Sequence, residues 1–149
     1  MTIAMGNSDR FSFTLHNITT TVSDIYASVD WWQRVFGLEL LATSRFDAIN
    51  ADVAFPQGPG FKLELLRTPD GFRLPELTAD PPAHIGPTGT KALVFRVDDL
   101  AAATQSFRDH GVALVWSEQD LGDGGVSTAI RDNDGNFINV FQEDASSVG

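Results

Sequence analysis

The chain has 149 residues, of which 42% are hydrophobic and 20% charged, a composition typical of one globular domain with a sizeable core. Its formal net charge of −10 argues against nucleic-acid and anionic-membrane binding, because both need clustered Lys and Arg. The absence of cysteine excludes disulfides, thiolate metal sites and a cysteine nucleophile. With no signal-like or membrane-length apolar run, we expect a soluble cytoplasmic protein.

One strand–helix unit occurs twice in the sequence. The first copy, LHNITTTVSDIYASVDWWQRVFGLEL, spans Leu15–Leu40, and the second, KALVFRVDDLAAATQSFRDHGVAL, spans Lys91–Leu114. Val22 of the first copy corresponds to Val97 of the second, 75 positions later. A repeat of half the chain predicts two similar modules, and we expect them to share one sheet.

Each half of the chain is predicted to fold as β-α-β-β-β. Ser23 or Asp24 supplies the N-cap of the first helix, whose apolar stripe is Ile25, Val29, Trp32 and Phe36. That helix ends at Gly37, and the second helix, Asp99–His110, ends before Gly111. The predicted strands are Phe11–Val22, Leu38–Thr43, Ile49–Phe55, Phe61–Arg67, Lys91–Val97, Val112–Trp116, Val126–Arg131 and Phe137–Gln142.

A proline-rich connector separates the two halves. Thr68–Thr90 contains five prolines, too many for a helix or a central strand. We therefore expect a single domain with a first module at about 11–67, a connector at 68–90 and a second module at about 91–143. A connector of this length in a compact domain is often functional, and its role as a lid stays open. Met1–Arg10 is predicted to be a loose tail.

Alternation along the strands predicts two faces for each sheet. One face is apolar and should pack under the helices. It comprises Ile18, Thr20, Val22, Leu63, Leu65, Leu93, Phe95, Val97, Ile138 and Val140. The opposite face is mixed, and it is either solvated surface or the lining of a pocket. Its members are Asn17, Thr19, Thr21, Lys62, Glu64, Leu66, Ala92, Val94, Arg96, Phe137, Asn139 and Phe141. The phenyl rings beside Asn139 favour a pocket.

Four segments together resemble the vicinal oxygen chelate superfamily, which includes glyoxalase I, bleomycin-resistance proteins and extradiol dioxygenases. They are NITTTVSDIYASVDWWQRVFGLEL, FKLELL, ALVFRVDDLAAA and IRDNDGNFINVFQ. The resemblance implies an α+β fold in which two paired βαβββ modules form a U-shaped cleft. It also implies that metal-dependent relatives hold a divalent ion through one side chain from each of four strands. Those four positions carry Asn17, Glu64, Ala92 and Asn139 in this chain.

This ligand set is unsuited to a transition metal. Of the four side chains only Glu64 is a normal ligand, Ala92 cannot coordinate, and the two amides offer weak neutral oxygens. We therefore predict no metal and no other cofactor. His16 lies one residue before the first ligand position, so it should point to the opposite face unless a local bulge turns it inward.

Other candidates have a structural reading beside a functional one. Glu64 is either a solvated partner of Lys62 or a proton carrier in a semi-apolar cleft. Arg96 either binds a ligand carboxylate or phosphate, or is a surface charge at a strand end. His84 is expected at the surface, with a lid role as the alternative, and His110 should cap its helix. Trp31 is read as core rather than as a dimer contact.

Three functions remain open at this point. The first is a metal-independent enzyme of isomerase, epimerase, cyclase or lyase type, with Glu64 as catalytic residue. The second is a ligand-sequestering protein of bleomycin-resistance type, and the third a metal-dependent glyoxalase or dioxygenase with altered ligands. In each case the partner is a small organic molecule, and a homodimer is implied by the resemblance alone. The predicted ligand-binding residues are Asn17, Thr19, Lys62, Leu66, Ala92, Val94, Arg96, Phe137, Asn139 and Phe141.

Overall fold

A computed structural model describes residues 11–122 and 124–143, and the predicted tail at 1–10 lies outside this part. Its helices are α1 (Ile25–Phe36) and α2 (Leu100–Asp109). Its strands are β1 (Ile18–Thr21), β2 (Glu39–Phe46), β3 (Ala51–Gly58), β4 (Phe61–Arg67), β5 (Ala92–Arg96), β6 (Leu114–Asp120), β7 (Gly125–Arg131) and β8 (Phe137–Glu143). No helix in the described part is long and apolar enough to cross a membrane.

The strands form two four-stranded sheets of the same topology. Their orders are β1-β4-β3-β2 and β5-β8-β7-β6, with β1 parallel to β4 and β5 parallel to β8. The predicted paired βαβββ modules are confirmed. The expectation that both halves share one sheet is wrong, because the strands of each module form hydrogen bonds only within their own sheet. The two modules contact each other through side chains.

Both helices begin at an aspartate, as the N-cap pattern predicts. The Asp24 side chain accepts a hydrogen bond from the Ala27 backbone N–H, and Asp99 does the same for α2. Gly37 ends α1 in the left-handed conformation at φ 68°, where a side chain would be strained.

The buried face of α1 differs from the predicted stripe by part of a turn. It consists of Ser28, Trp31, Trp32 and Val35, whereas Ile25, Val29 and Phe36 are half-buried. Trp31 is therefore a core residue. A polar Ser28 is tolerated there because its hydroxyl accepts a 3.1 Å hydrogen bond from the side-chain amide of Asn133.

The two modules share one hydrophobic core. The ring of Phe36 on α1 lies 5.3 Å from Phe95 on β5 and 5.7 Å from Phe107 on α2. Phe61 of the first sheet lies 5.1 Å from the same Phe95. Aromatic pairs at these centroid distances stabilise the packing beyond the area they bury. The helix of one module therefore packs against the helix and sheet of the other.

Strand boundaries differ most at β1 and β6. β1 is four residues long, and residues 11–17 before it are not in a strand. β6 begins two residues later than predicted and runs four residues further. Register shifts on both sides of Trp116 accompany this extension.

The connector is ordered and docks on the second module. It contains two short 3₁₀ helices, Pro75–Thr78 and Ala83–Ile85. Arg131 of β7 donates hydrogen bonds of 2.7 Å to the Thr78 carbonyl and 2.9 Å to the Asp80 carboxylate. This fixes the middle of the connector against the start of β8.

Candidate functional site

Three predicted site residues converge at the edge of the first sheet. Asn17 lies just before β1, and Thr19 of β1 pairs with Glu64 of β4. The Asn17 side-chain amide donates a 3.1 Å hydrogen bond to Glu64 Oε2, and Thr19 Oγ1 lies 3.5 Å from the same oxygen. Glu64 is half-buried. Among the described residues no cation forms an ion pair with its carboxylate, which is therefore positioned by neutral donors.

Lys62 is separate from Glu64, although both lie on the face of β4 that points away from the helices. We call this face of each sheet the cleft face. The Lys62 ammonium lies 5.8 Å from the centre of the Phe55 ring, a cation–π distance. The β3–β4 register, which pairs Ala54 with Leu65, places Phe55 opposite Glu64. Phe55 is therefore a candidate site residue that the sequence interpretation missed.

A matching row crosses the second sheet. Val94 pairs with Asn139, Asn139 with Ala129, and Ala129 with Trp116. Paired residues of adjacent strands point to the same face, so the Trp116 ring shares the cleft face with Asn139. Its indole N–H donates a 2.7 Å hydrogen bond to Ser127 Oγ, which fixes the ring there.

Ala92 and Phe137 pair at the start of β5 and β8. Phe137 is only 4% exposed. The His84 ring lies 4.5 Å from its centre and the Arg131 guanidinium 4.4 Å from it. The connector therefore covers this predicted ligand-binding ring. His84 is half-buried rather than at the surface, and its Nδ1 is buried without a hydrogen-bond partner among the described residues.

Arg96 and Phe141 pair near the other end of these strands. The Arg96 guanidinium lies 3.7 Å from the Glu143 carboxylate, and its side chain is 66% exposed. Phe141 is half-buried. The structure thus places Arg96 among solvated surface charges at the strand end, two residues along β5 from Val94.

His16 lies beside the site but does not enter the position of a metal ligand. It is exposed, and its Nδ1 is 2.5 Å from the Asn17 side-chain oxygen. Asn17 in turn donates to Glu64, so the three side chains form a chain with the amide in the middle. His110, by contrast, lies at the end of α2 with Nδ1 2.8 Å from the Ser106 carbonyl oxygen.

The four positions implied by the resemblance do not fit a transition-metal ion. Their donors are one carboxylate, two amides and a methyl group, and imidazole or carboxylate groups supply metal affinity in proteins. The nearest imidazole, His16, is engaged by Asn17 rather than aligned with Glu64. Across residues 11–122 and 124–143, no group of three or more His, Cys, Asp or Glu side chains is arranged to hold a metal.

A cavity of about 360 Å³ lies beside this site, at the carboxyl ends of β1 and β4. We call it the connector cavity, because residues of the connector form much of its wall. Its size is within the range of small-molecule sites. It is lined by Thr21, Val22, Ser23, Arg67, Thr68, Pro69, Gly71, Phe72, Arg73, Leu74, Leu77, Thr78, Asp134 and Asn136. None of these residues was among the sequence-predicted ligand contacts.

Comparison with known proteins gives a family match and many similar folds. A family model described as the Glyoxalase/Bleomycin resistance protein/Dioxygenase superfamily matches residues 14–140. No curated protein sequence matches the chain. A glyoxylase/bleomycin resistance protein/dioxygenase domain from Frankia sp. EAN1pec has a similar structure, with a TM-score of 0.72 and 21% identity. That match covers 91% of this chain and 95% of the other.

Two further solved structures are similar over nearly their whole length. A glyoxalase family protein from Bacillus cereus is 17% identical with a TM-score of 0.73, and the match covers 94% of this chain and all of the other. The fosfomycin resistance protein FosX from Listeria monocytogenes is 17% identical with a TM-score of 0.68, covering 91% and 98% of the two chains. At these identities the likeness establishes a common fold.

Proposed function

The chain belongs to the glyoxalase/bleomycin resistance protein/dioxygenase superfamily, and on that premise we propose that it is a metal-independent enzyme. Its substrate is a small organic molecule bound on the cleft face, and its reaction is a proton transfer of isomerase, epimerase, cyclase or lyase type. The carboxylate of Glu64 carries the proton. A shared fold does not choose among these reactions, so the proposal depends on the side chains themselves.

The hydrogen bond from Asn17 to Glu64 is the main support. It directs one carboxylate oxygen toward neutral donors and leaves the other oxygen without a partner among the described residues. A general base needs this combination of a fixed orientation and an open oxygen within reach of a carbon-bound hydrogen. Phe55 opposite Glu64 supplies an apolar surface for the substrate carbon skeleton.

Ligand sequestration is the second candidate, supported by the wall of the other sheet. Trp116 presents a large indole surface on the cleft face, and Phe141 is half-buried on the same face two residues from Asn139. Aromatic rings bury much ligand area at low entropic cost, which is sufficient for binding without chemistry. The chain would then hold a planar or apolar molecule against Trp116.

Isotope exchange distinguishes these two functions. A thermal-shift screen of small organic molecules would identify a ligand, and proton NMR in D₂O would follow loss of its carbon-bound hydrogens. We expect Glu64→Gln to retain binding and to slow exchange about 10²- to 10⁴-fold, the usual contribution of a general base. Glu39→Gln, an exposed glutamate on β2, is the matched control and should exchange at the wild-type rate.

The contrary result is equally defined. If the ligand undergoes no exchange or conversion in the wild type, and Trp116→Ala weakens its binding, the protein sequesters its ligand. The same samples test the proposed homodimer, which sedimentation equilibrium would report as twice the 16.2 kDa chain mass.

A further inference from the structure

We propose that the connector cavity binds the anionic group of an amphipathic organic acid, and that this molecule is the substrate of the Glu64 site. The inference rests on the proposed function for its second half. Its first half is that the cavity binds a carboxylate or phosphate. That half depends on two arginines whose guanidinium groups donate no hydrogen bond to a described residue.

Arg67 and Arg73 both line the cavity. Arg67 lies 3.9 Å from an Asp52 oxygen and Arg73 lies 3.7 Å from an Asp134 oxygen, and both contacts are longer than hydrogen bonds. Neither guanidinium donates a hydrogen bond to any described residue. Each therefore retains a planar set of donors, the geometry that binds a carboxylate or phosphate in bidentate fashion.

The other buried or clustered arginines show the contrast. Arg131 donates to the Thr78 carbonyl, the Gly135 carbonyl and Asp80. Arg45 donates to Asp47, Asp52 and Asn50. The guanidinium donors of these two form hydrogen bonds within the protein, whereas those of the two cavity arginines form only the longer ion pairs with Asp52 and Asp134. Because the chain as a whole carries a net charge of −10, a local cation pair is a specific feature of this cavity.

Acidic groups at the cavity do not cancel this charge. Asp134 is the single carboxylate among the lining residues, and its oxygens already accept hydrogen bonds from the backbone N–H and the hydroxyl of Ser23. Among the lining residues, two guanidinium groups and one carboxylate leave a net positive charge. The Asp52 carboxylate beside Arg67 lies outside the lining and is shared with Arg45, 2.9 Å away. Hydroxyl donors on the wall, from Thr21 and Thr68, complete a surface suited to oxyanions.

Part of the remaining wall is apolar. Phe72 is 83% exposed and Leu74 is 45% exposed, although both line the cavity together with Leu77. Large apolar side chains presented to an open cavity favour a ligand with a hydrocarbon or aromatic portion. An anionic head and an apolar body together define the class as an amphipathic organic acid.

Thr21 connects the cavity to the Glu64 site. Thr21 lies on the same face of β1 as Thr19, and Thr19 pairs with Glu64. Two residues of strand span about 7 Å. Arg67 itself lies on the opposite face of β4 from Glu64, so a ligand reaches the carboxylate past Thr21, from which a short carbon chain is enough to bring a reacting hydrogen to it.

The probe for the first half is 4-phenylbutyrate, with 4-phenylbutanol as its uncharged match. Both are titrated into the full-length ¹⁵N-labelled protein and followed by amide chemical shifts. We expect the acid to give saturable shifts at Ser23, Gly71 and Leu74 and to bind about tenfold more tightly than the alcohol, the usual worth of one charged hydrogen-bonded pair. Added salt should weaken binding of the acid and leave binding of the alcohol unchanged.

Substitutions assign the effect to the cavity. Arg67→Gln and Arg73→Gln should each weaken binding of the acid about tenfold, and Arg73→Lys should weaken it less. Arg108→Gln, at an exposed position on α2 outside the cavity wall, should leave the affinity unchanged. Equal binding of acid and alcohol, or equal losses with Arg108→Gln and Arg67→Gln, would overturn the proposal. Melting temperatures near the wild-type value verify that each variant is folded.

The two halves fail in different ways. If the arginine variants weaken the acid but Glu64→Gln alters no turnover, the cavity is an anion site and the proposed enzyme function is wrong. If Glu64→Gln abolishes turnover while the arginine variants change neither the acid's affinity nor the KM, the proposed enzyme function holds and the assignment of the cavity as an anion site is wrong.

Discussion

The Asp134 carboxylate accepts hydrogen bonds from both the backbone N–H and the hydroxyl of Ser23, a residue 111 positions earlier in the other module. The N–H bond measures 3.0 Å, and Asp134 is 8% exposed. It therefore joins the β7–β8 turn to the start of α1. A buried carboxylate with such donors stabilises the contact between modules more than a surface pair would.

We predict that Asp134→Ala destabilises the protein by about 1–3 kcal/mol, because the donors of Ser23 lose a charged acceptor and Arg73 its counterion. Urea denaturation followed by tryptophan fluorescence measures the change. Asp98, which takes the place of Ser23 in the second copy of the repeat and is exposed, is the matched control. Asp98→Ala should alter the free energy of unfolding by less than about 0.5 kcal/mol. Equal losses in the two variants would contradict the role given to Asp134.

A pH dependence is predicted for Asp132 in the same turn. Burial raises the pKa of its carboxyl above the ordinary 3.8, even though Asn136 and the Asp134 backbone N–H donate to it. The folded state then holds this proton at pH values where the unfolded chain has released it. The carboxyl's contribution to stability is thus greatest below pH 3.8 and declines as the pH rises through the raised pKa.

Asp132→Asn removes this ionisation. The stability of the variant relative to the wild type should therefore improve as the pH rises from about 4 to neutrality. Chemical denaturation at several pH values measures the difference. The exposed Asp70 offers Asp70→Asn as a control, which should give a flatter difference. A difference that falls with rising pH for Asp132→Asn would refute the assignment.

Metal content is the third prediction. Protein purified without chelator should contain far less than one zinc, nickel or iron per chain, since Glu64 is the single good donor among the four expected positions. Restoring the other three, with Asn17→His, Ala92→His and Asn139→Glu, should raise zinc content to about one per chain. Elemental analysis measures both. Stoichiometric metal in the wild type that disappears in Glu64→Ala would show that the amides do coordinate.

Docking of the connector depends on Arg131. Arg131→Gln loses the bonds to the Thr78 carbonyl and Asp80 and the contact with the Phe137 ring. We expect a loss of about 1–3 kcal/mol and faster amide hydrogen exchange in residues 75–85. Mass spectrometry of deuterated peptides measures that exchange. The exposed Arg96→Gln serves as control, and unchanged exchange in Arg131→Gln would mean that other contacts hold the connector.

The last prediction concerns Trp31. Trp31 is 6% exposed and its ring contacts Trp32. Trp31→Ala should therefore lower the free energy of unfolding by about 3–5 kcal/mol. Tyr26 on the same helix is 83% exposed, and Tyr26→Ala should change the free energy of unfolding by about 0.5 kcal/mol at most. Thermal denaturation of both variants distinguishes a core tryptophan from one that serves a contact between chains.

Local rules predicted much of the fold. Aspartate caps, the glycine after α1 and strict alternation along β4 and β8 each depend on neighbours within a few residues, so the sequence carries them. The same alternation brought Asn17, Thr19 and Glu64 to one face. These features are decided by local backbone geometry and by side chains close in sequence.

Other features depend on tertiary pairing and left no local signal. Alternation from Leu114 would bury Trp116 under α2, but the irregular β6 register turns it to the opposite face. Likewise, nothing near Arg131 in sequence points to Thr78, and nothing near Ser23 points to Asp134. The connector cavity was missed for this reason, since its walls come from three distant parts of the chain.

The span between Arg67 and Thr78 is held at both ends, by β4 on one side and by the Arg131 hydrogen bond on the other. Insertions or deletions in that span would alter the wall of the connector cavity and leave the hydrogen bonds of both sheets and the aromatic core unchanged. The volume of the connector cavity can therefore change with the length of this loop while the fold is kept.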